Sequence, residues 1–122
     1  MSVVERLVAK SNLTLVQLQT LQLQLGVKSG QITLADAASQ RTGGRKKGPV
    51  TIGAYYRVLK QGKAKVRKSI MTVLAAMQLG YLRYEDLTRL LELVGRGPAE
   101  LGEEDAERLM QVLDALLTRI VG

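Results

Sequence analysis

An all-α fold is predicted by three features of the sequence. Along most of the chain, apolar residues recur at intervals of three and four, which places them on one face of a helix. The residues available for a core are mostly Leu, Val, Ile, Ala and Met, since the chain has four Tyr and no Phe or Trp, and this composition favours helices over a sheet. The 122 residues are enough for one compact domain that needs no cross-links. We therefore expect a helical bundle in which a long basic helix is followed by a C-terminal helical hairpin.

Three short helices are predicted in the first third of the chain. The first covers residues 2–10. The second follows Thr14, a good N-cap, and is expected to end at Gly26. Its closing LQLQL alternates like a strand, but Leu and Gln are both good helix formers. Thr33 and Asp36 nearly match a capping box, and they predict the start of a short, alanine-rich third helix.

One long helix is predicted from Ile52 to about Leu79. On a helical wheel its apolar side chains share one arc, formed by Ile52, Tyr55, Tyr56, Leu59, Val66, Ile70, Val73, Leu74 and Met77. At 1.5 Å per residue its length would be about 40 Å, and Gly62 leaves a kink or a break open. The segment beyond Ser69 is nearly all apolar, so we expect it to be buried, with Met71 and Met77 in the core.

Two amphipathic helices are predicted after Gly80, which should end the long helix. The first lies in residues 81–95 and the second in residues 103–121, with the turn GRGPAELG between them. Acidic side chains crowd the start of the last helix, namely Glu103, Glu104, Asp105 and Glu107. Negative charge there suits the positive end of the helix dipole, so we interpret this cluster as a solvated helix start and not as a metal or acid-base site.

Positive charge is concentrated in one segment. Residues 41–68 contain ten Lys or Arg and no acidic residue, within a chain whose formal net charge is +7. Residues 1–40 hold three basic and two acidic side chains, and residues 69–122 hold five basic and nine acidic ones. A cationic segment without carboxylates to pair it is typical of nucleic-acid-binding proteins, although a charged helix face is more often simply solvated.

Several classes of function are excluded or disfavoured by composition. Without Cys or His, the chain lacks disulfides, thiolate and imidazole metal sites, and the corresponding catalytic nucleophiles and bases. The loop TGGRKKGP departs from a phosphate-binding loop because Pro49 stands where that motif needs a lysine. No apolar run is long enough for a membrane span, and the N-terminus lacks the apolar core of a secretory signal. We expect a cytoplasmic protein that is not an enzyme and that needs no metal or cofactor.

The segments LTLVQLQTLQLQLG, TLADAASQ and TIGAYYRVLKQGKAKVRKSI follow one another in the order of a helix-turn-helix module. Over residues 13–70 they resemble the promoter-reading C-terminal domain of sigma factors and the DNA-binding domains of response regulators. The matching positions are Leu13, Thr14, Leu25, Gly26, Leu34, Ala38 and the run from Thr51 to Lys68. The resemblance implies that the third helix enters the major groove while the first two support it. The link RTGGRKKGPV is longer than the tight turn of those families, which indicates either an inserted basic arm or a different fold.

The resemblance and the charge pattern together assign a nucleic-acid-binding surface. Its residues are Arg41, Arg45, Lys46, Lys47, Thr51, Arg57, Lys60, Lys63, Lys65, Arg67 and Lys68. Arg57 is our choice for a base contact because arginine reads guanine best, whereas the lysines mostly contact the backbone. Thr51 lies at a helix start, where free N–H groups can approach phosphate or base edges. We interpret Tyr55 and Tyr56 as core residues in preference to stacking partners of bases.

Three classes of function follow from this surface, and duplex DNA binding is the leading one. The chain would then be a transcriptional regulator or a chromosome-associated factor in the nucleoid. The alternatives are an RNA-binding or ribosome-associated protein and an adaptor for an acidic protein partner. We expect residues 1–69 to form the helix-turn-helix-like binding region and residues 70–122 the helical core and dimerisation region of one continuous domain. A homodimer through residues 70–122 is expected because dimeric DNA-binding proteins gain affinity by binding two half-sites at once.

Overall fold

The structure is a computed structural model that describes residues 2–41, 50–95 and 102–122, and these residues form six α-helices. The helices are α1 (Val3–Ala9), α2 (Leu15–Lys28), α3 (Leu34–Gln40), α4 (Ile52–Leu79), α5 (Tyr84–Gly95) and α6 (Glu103–Val121). No β-strand occurs in these ranges, so the prediction of an all-α fold is confirmed. The chain divides into an N-terminal unit, Val8–Lys68, and a C-terminal unit, which joins Met1–Leu7 to Ser69–Gly122. Helix α4 begins in the N-terminal unit and ends in the C-terminal unit.

Threonine side chains cap the starts of α2, α3 and α4. The hydroxyl oxygens of Thr14, Thr33 and Thr51 each accept a hydrogen bond, 3.1 Å long, from the backbone N–H three residues further on. At the first two positions the reciprocal bond of a capping box is also present, because Gln17 and Asp36 accept from the N–H of the cap residue. The predicted starts of these three helices are confirmed.

The predicted end of α2 at Gly26 is wrong by two residues, because the glycine that terminates the helix is Gly30. Gly30 has a φ of 80°, and its N–H donates to Val27 O while the N–H of Gln31 donates to Gly26 O at 2.9 Å. These two bonds form a Schellman motif, which satisfies the last carbonyls of the helix. Gly26 stays helical, and a β-carbon there would lie 3.3 Å from the side chain of Ile32. Its small size therefore serves close packing.

Substitution of Gly30 by alanine is expected to lower the free energy of unfolding by roughly 1 to 2 kcal/mol, because an L-residue pays that cost at positive φ. Gly53→Ala is the matched control. Gly53 lies inside α4 with open space around its α-carbon, and the added methyl group should raise helix propensity there. Urea titrations of the two variants compare them directly, and equal stabilities would contradict the role given to Gly30.

The core of the N-terminal unit joins α3 to the first half of α4. Its buried members are Ala37 and Ala38 from α3 and Tyr55 and Leu59 from α4. Partly buried side chains from α2, from the start of α3 and from the neighbouring turns surround them, namely Leu21, Leu23, Val27, Ile32, Leu34 and Val50. Because alanine is small, α3 can approach the tyrosine ring closely. The start of α4 is thus held by apolar contacts from both preceding helices.

Tyr55 is the largest fully buried side chain in this core. Its exposed fraction is 0%, and its hydroxyl donates a hydrogen bond to Gln24 Oε1 at 3.0 Å, with Thr20 O 3.4 Å away. Burial, together with the neighbouring Tyr56, raises the pKa of the Tyr55 hydroxyl above its usual range. The interpretation of Tyr55 as a core residue is confirmed. Tyr56 is different, because 49% of its surface is exposed.

Helix α4 runs without a break through Gly62, which settles the question that the sequence left open. Gly62 is buried where α4 meets α2. A β-carbon at this position would lie 3.4 Å from the side chain of Leu21 and 3.6 Å from the Cβ of Gln17. The glycine therefore lies where the side chains of α2 pack directly against the backbone of α4, and the helix continues through it.

In the C-terminal unit, α5 packs against α6 as a hairpin. The buried residues of this unit are Asp86, Ala106 and Leu113, within the ranges that the structure describes. Helix α4 ends at Leu79 in a second Schellman motif, since Gly80 has a φ of 88° and Tyr81 N–H donates to Ala76 O. The predicted end of the long helix at Gly80 is confirmed.

The second half of α4 is not buried within the single chain, which corrects the expectation that it would be. Met71, which we expected in the core, is 69% exposed, whereas Met77 is half-buried. Large apolar side chains of the same segment are also exposed, namely Ile70, Val73, Leu74 and Leu79. The sequence pattern identified an apolar face correctly, but no described part of the chain covers it fully.

Asp86→Asn is expected to destabilise the C-terminal unit at neutral pH. The Asp86 carboxylate accepts hydrogen bonds from the backbone N–H of Arg83 at 3.1 Å and from Arg83 Nε at 3.3 Å. The backbone bond first, and then the side-chain bond and the positive charges of the nearby arginines, hold the pKa of Asp86 below the usual 3.8. A lowered pKa means that the carboxylate adds stability above pH 3.8, and that this stability is lost as the pH falls through the folded-state value. Thermal melts at pH 7 and pH 2 should therefore differ for the native chain more than for the variant. An equal pH dependence in both would contradict the assignment.

Candidate nucleic-acid interface

The cationic half of α4 presents its charges on the side away from the core. Arg57, Lys60, Arg67 and Lys68 are exposed, whereas Lys63 and Lys65 are half-buried, as expected for Lys63 from its place beside the apolar arc. Within the described part of the chain, Arg57, Lys60, Lys63, Lys65 and Arg67 form no hydrogen bond or ion pair through their side chains. These charges are therefore free to meet a polyanion.

One face of α4 brings three of these cations together with an aromatic ring. Tyr56, Leu59, Lys60, Lys63 and Arg67 line a groove of about 340 Å³. Their spacing of three, four, seven and eleven residues places them on one stripe of the helix. The sequence analysis missed Tyr56 as a surface residue, because it lies at the edge of the apolar arc, where periodicity does not separate buried from exposed positions.

The remaining helix cations lie on other faces of α4. At 100° per residue, Arg57 and Lys68 lie on the face next to the groove, and Lys65 lies beyond them. Thr51 is exposed at the helix start, and its hydroxyl oxygen accepts the capping bond from Ala54 N–H. The structure therefore does not gather all the predicted residues into one patch. It arranges them around the solvent side of a helix whose other side is anchored in the core.

Arg41 is placed differently from the other predicted contacts. It follows α3, is only 6% exposed, and its Nε and Nη1 atoms are buried without a hydrogen-bond partner among the described residues. Direct contact of Arg41 with a nucleic acid would require the atoms that cover it to move. The other predicted loop contacts, Arg45, Lys46 and Lys47, lie outside the described residues.

The described ranges contain neither a cluster of metal ligands nor a membrane-spanning helix. Among residues 2–41, 50–95 and 102–122 there is no group of three or more carboxylates that could hold a metal ion. At the start of α6, Glu103 Oε2 lies 3.6 Å from Arg6 Nη2, which ties α1 to that helix start. None of the described helices combines the length and the apolar character that a membrane crossing requires.

Comparisons of the chain with known protein families, with curated proteins and with solved structures find no match. In the described structure, the cationic face of α4 is the surface where basic side chains are concentrated without an acidic residue between them.

Proposed function

We propose that the chain is a DNA-binding protein, a transcriptional regulator or chromosome-associated factor, and not an enzyme. The observation that carries this proposal is the set Arg57, Lys60, Lys63, Lys65 and Arg67, whose side chains form no ion pair with the described residues, on a helix whose opposite side is packed in a core. On this proposal, α2, α3 and the first half of α4 act as a helix-turn-helix module, and α4 is inserted into the major groove. Its place in the cell would be the nucleoid.

The geometry of α4 supports docking along a groove. An α-helix with its side chains is about 10 to 12 Å wide, close to the width of the major groove of B-DNA, which is about 12 Å. Cations on several faces of such a helix can reach phosphates on both walls of the groove. In this arrangement Arg57 contacts a base edge, while Lys60, Lys63, Lys65, Arg67 and Lys68 contact phosphates.

The proposal is tested by measuring affinity for random-sequence duplex DNA and for structured RNA of equal length across a salt series. Tight duplex binding with a steep dependence on salt is expected, because each neutralised phosphate releases counterions. Stronger binding to RNA would reject DNA as the target. Weak binding to both at modest salt would favour the adaptor for an acidic protein partner.

RNA is the second candidate because one observation favours it. Tyr56 is half-exposed beside Lys60, Lys63 and Arg67, and an aromatic ring flanked by cations can stack on an unpaired base while the cations hold the backbone. Tyr56→Ala distinguishes the two candidates. If the chain binds RNA, loss of the Tyr56 ring should weaken binding to single-stranded RNA severalfold. If the chain binds duplex DNA, loss of the ring should leave that binding nearly unchanged.

We further propose that the chain forms a homodimer through residues 70–122. Support comes from the apolar face of α4, where the exposed Ile70, Val73 and Leu74 and the half-buried Met77 recur at intervals of three and four. Residues 69–79 contain no charged side chain, so an identical uncharged face is a suitable partner. A symmetric pair would also present two cationic helices to one duplex.

The homodimer is tested by sedimentation. The unmodified chain should sediment as a dimer, and the double variant Ile70→Lys, Leu74→Lys should sediment as a monomer of about 13.3 kDa. Lys10→Ala, an exposed position in the N-terminal unit's first residues, is the control and should remain dimeric. A monomer at high concentration for the unmodified chain would reject the proposal.

A further inference from the structure

A second group of cations surrounds a small cavity within the C-terminal unit. The cavity has a volume of about 220 Å³ and is bounded by the turn at Gly80, by α5 and by α6. Three arginines line it, namely Arg83 just before α5, Arg89 within α5 and Arg119 near the end of α6. The fold brings these side chains together from separate segments, and none of them belongs to the cationic segment of residues 41–68.

One described carboxylate faces the three guanidinium groups. Asp86 is 7% exposed, and its Oδ2 is held by the N–H and the Nε of Arg83 at 3.1 and 3.3 Å. This pair accounts for one of the positive charges. The guanidinium groups of Arg89 and Arg119 form no hydrogen bond or ion pair with the described part of the chain, although Arg89 lies near enough to Asp86 to attract its carboxylate. The cavity therefore carries a surplus of two positive charges.

This surplus of positive charge occurs in a region of the chain whose net charge is negative. Residues 69–122 contain five basic and nine acidic side chains. Three of the five basic side chains line the cavity, whereas Asp86 is the single carboxylate among its described lining residues. Like charges held side by side repel one another, and this cost is offset when an anion occupies the space between them.

The other walls of the cavity are apolar. Leu90, Leu116 and Ile120 are half-buried and line it, whereas the side chains of the three arginines are exposed, so an anion can reach them from solvent. The volume corresponds to roughly seven times the 30 Å³ that a water molecule occupies in the liquid, which leaves room for a small anion but not for a large cofactor.

We propose that this cavity binds a small phosphate-bearing molecule, with Arg89 and Arg119 as the principal contacts. A phosphate group carries about −1.5 to −2 charges at neutral pH, which matches the surplus of two positive charges among the described lining residues. The planar arginine fork donates two parallel hydrogen bonds to such a group. The site is separate from the cationic face of α4, and it gives the chain a ligand in addition to a nucleic acid.

Isothermal titration calorimetry with inorganic phosphate, at an ionic strength fixed with sodium chloride, tests the site in the full-length chain. The cavity variant is Arg89→Gln with Arg119→Gln, and the matched control is Lys10→Gln with Arg108→Gln, two exposed positions that do not line the cavity. The unmodified chain and the control should bind phosphate saturably, and the cavity variant at least tenfold more weakly. No saturable binding, or equal weakening in both variants, would overturn the proposal.

Two further arms separate the sources of the phosphate group. Tighter binding of a nucleoside monophosphate than of inorganic phosphate identifies a phosphate ester, and the reverse identifies free phosphate. Duplex DNA affinity should be the same in the cavity variant and the control. If it falls together with phosphate affinity in the cavity variant alone, the arginines contact a nucleic-acid backbone and the small-molecule site is rejected.

Folding and the main proposal are controlled separately. Circular dichroism reports the helicity of each variant, and Arg119→Glu, a change at one exposed residue, repeats the test if the double variant loses helicity. Weak DNA binding by the unmodified chain would reject the proposed function while leaving the phosphate result to stand by itself.

Discussion

Replacement of Lys60, Lys63 and Arg67 by alanine is expected to weaken binding to random-sequence duplex DNA roughly a hundredfold or more at about 0.1 M salt. The three side chains line one groove on α4, and within the described residues none of them is engaged in an ion pair. Each lost phosphate contact should flatten the dependence of log K on log salt by about 0.9, so the slope should fall by about 2.7. Fluorescence anisotropy across the salt series measures both quantities.

The matched control removes the same number of charges elsewhere. Lys10, Lys28 and Arg108 are exposed and lie outside the cationic segment, so their joint replacement by alanine lowers the net charge equally. Only a small, nonspecific loss of affinity is expected for this control. If the two triple variants lose affinity equally, then net charge alone explains the binding and the α4 face has no special role.

Replacement of Tyr55 by alanine is expected to lower the free energy of unfolding by about 3 to 5 kcal/mol, the usual range for truncating a buried aromatic residue. The ring extends from α4, is fully buried against α3, and its hydroxyl also donates a hydrogen bond to Gln24 Oε1. Domains of this size are stable by about 5 to 15 kcal/mol, so the variant should be close to unfolded near physiological temperature. Denaturation by urea, followed by circular dichroism, measures the loss.

The adjacent residue provides the control for this prediction. Tyr56→Ala removes a ring of the same size that is 49% exposed, and its cost should stay below about 1 kcal/mol. Tyr55→Phe keeps the ring and removes the hydroxyl, so it should cost about 1 kcal/mol for the lost hydrogen bond. If Tyr55→Ala and Tyr56→Ala were equally stable, the assignment of the core to α3 and α4 would be wrong.

The helices could be predicted from the sequence because their signals are local. The start of α4 depends on Thr51 and its end on Gly80, and both act through hydrogen bonds that span only a few residues. The end of α2 was missed because a glycine can either terminate a helix or permit close packing. Gly26 does the second and Gly30 the first, and the choice depends on Ile32.

Burial was harder to predict than helix position. Periodicity shows which residues share a face, but the part of that face that is covered depends on the neighbouring helices. Tyr55 and Tyr56 are neighbours in sequence, yet the first is fully buried and the second is half-exposed. Met71 is exposed although most of its neighbours in the sequence are apolar. The arginine-lined cavity could not be predicted at all, because its side chains come from segments that only tertiary packing brings together.

The boundary between the two units falls inside α4, between Lys68 and Ser69, and not in a linker. Modules that are exchanged between genes, or released intact by proteases, are usually bounded by exposed loops with few hydrogen bonds. A cut within α4 would instead leave several backbone carbonyls and N–H groups without their helical partners. Cleavage or grafting at this boundary should therefore damage both units at once.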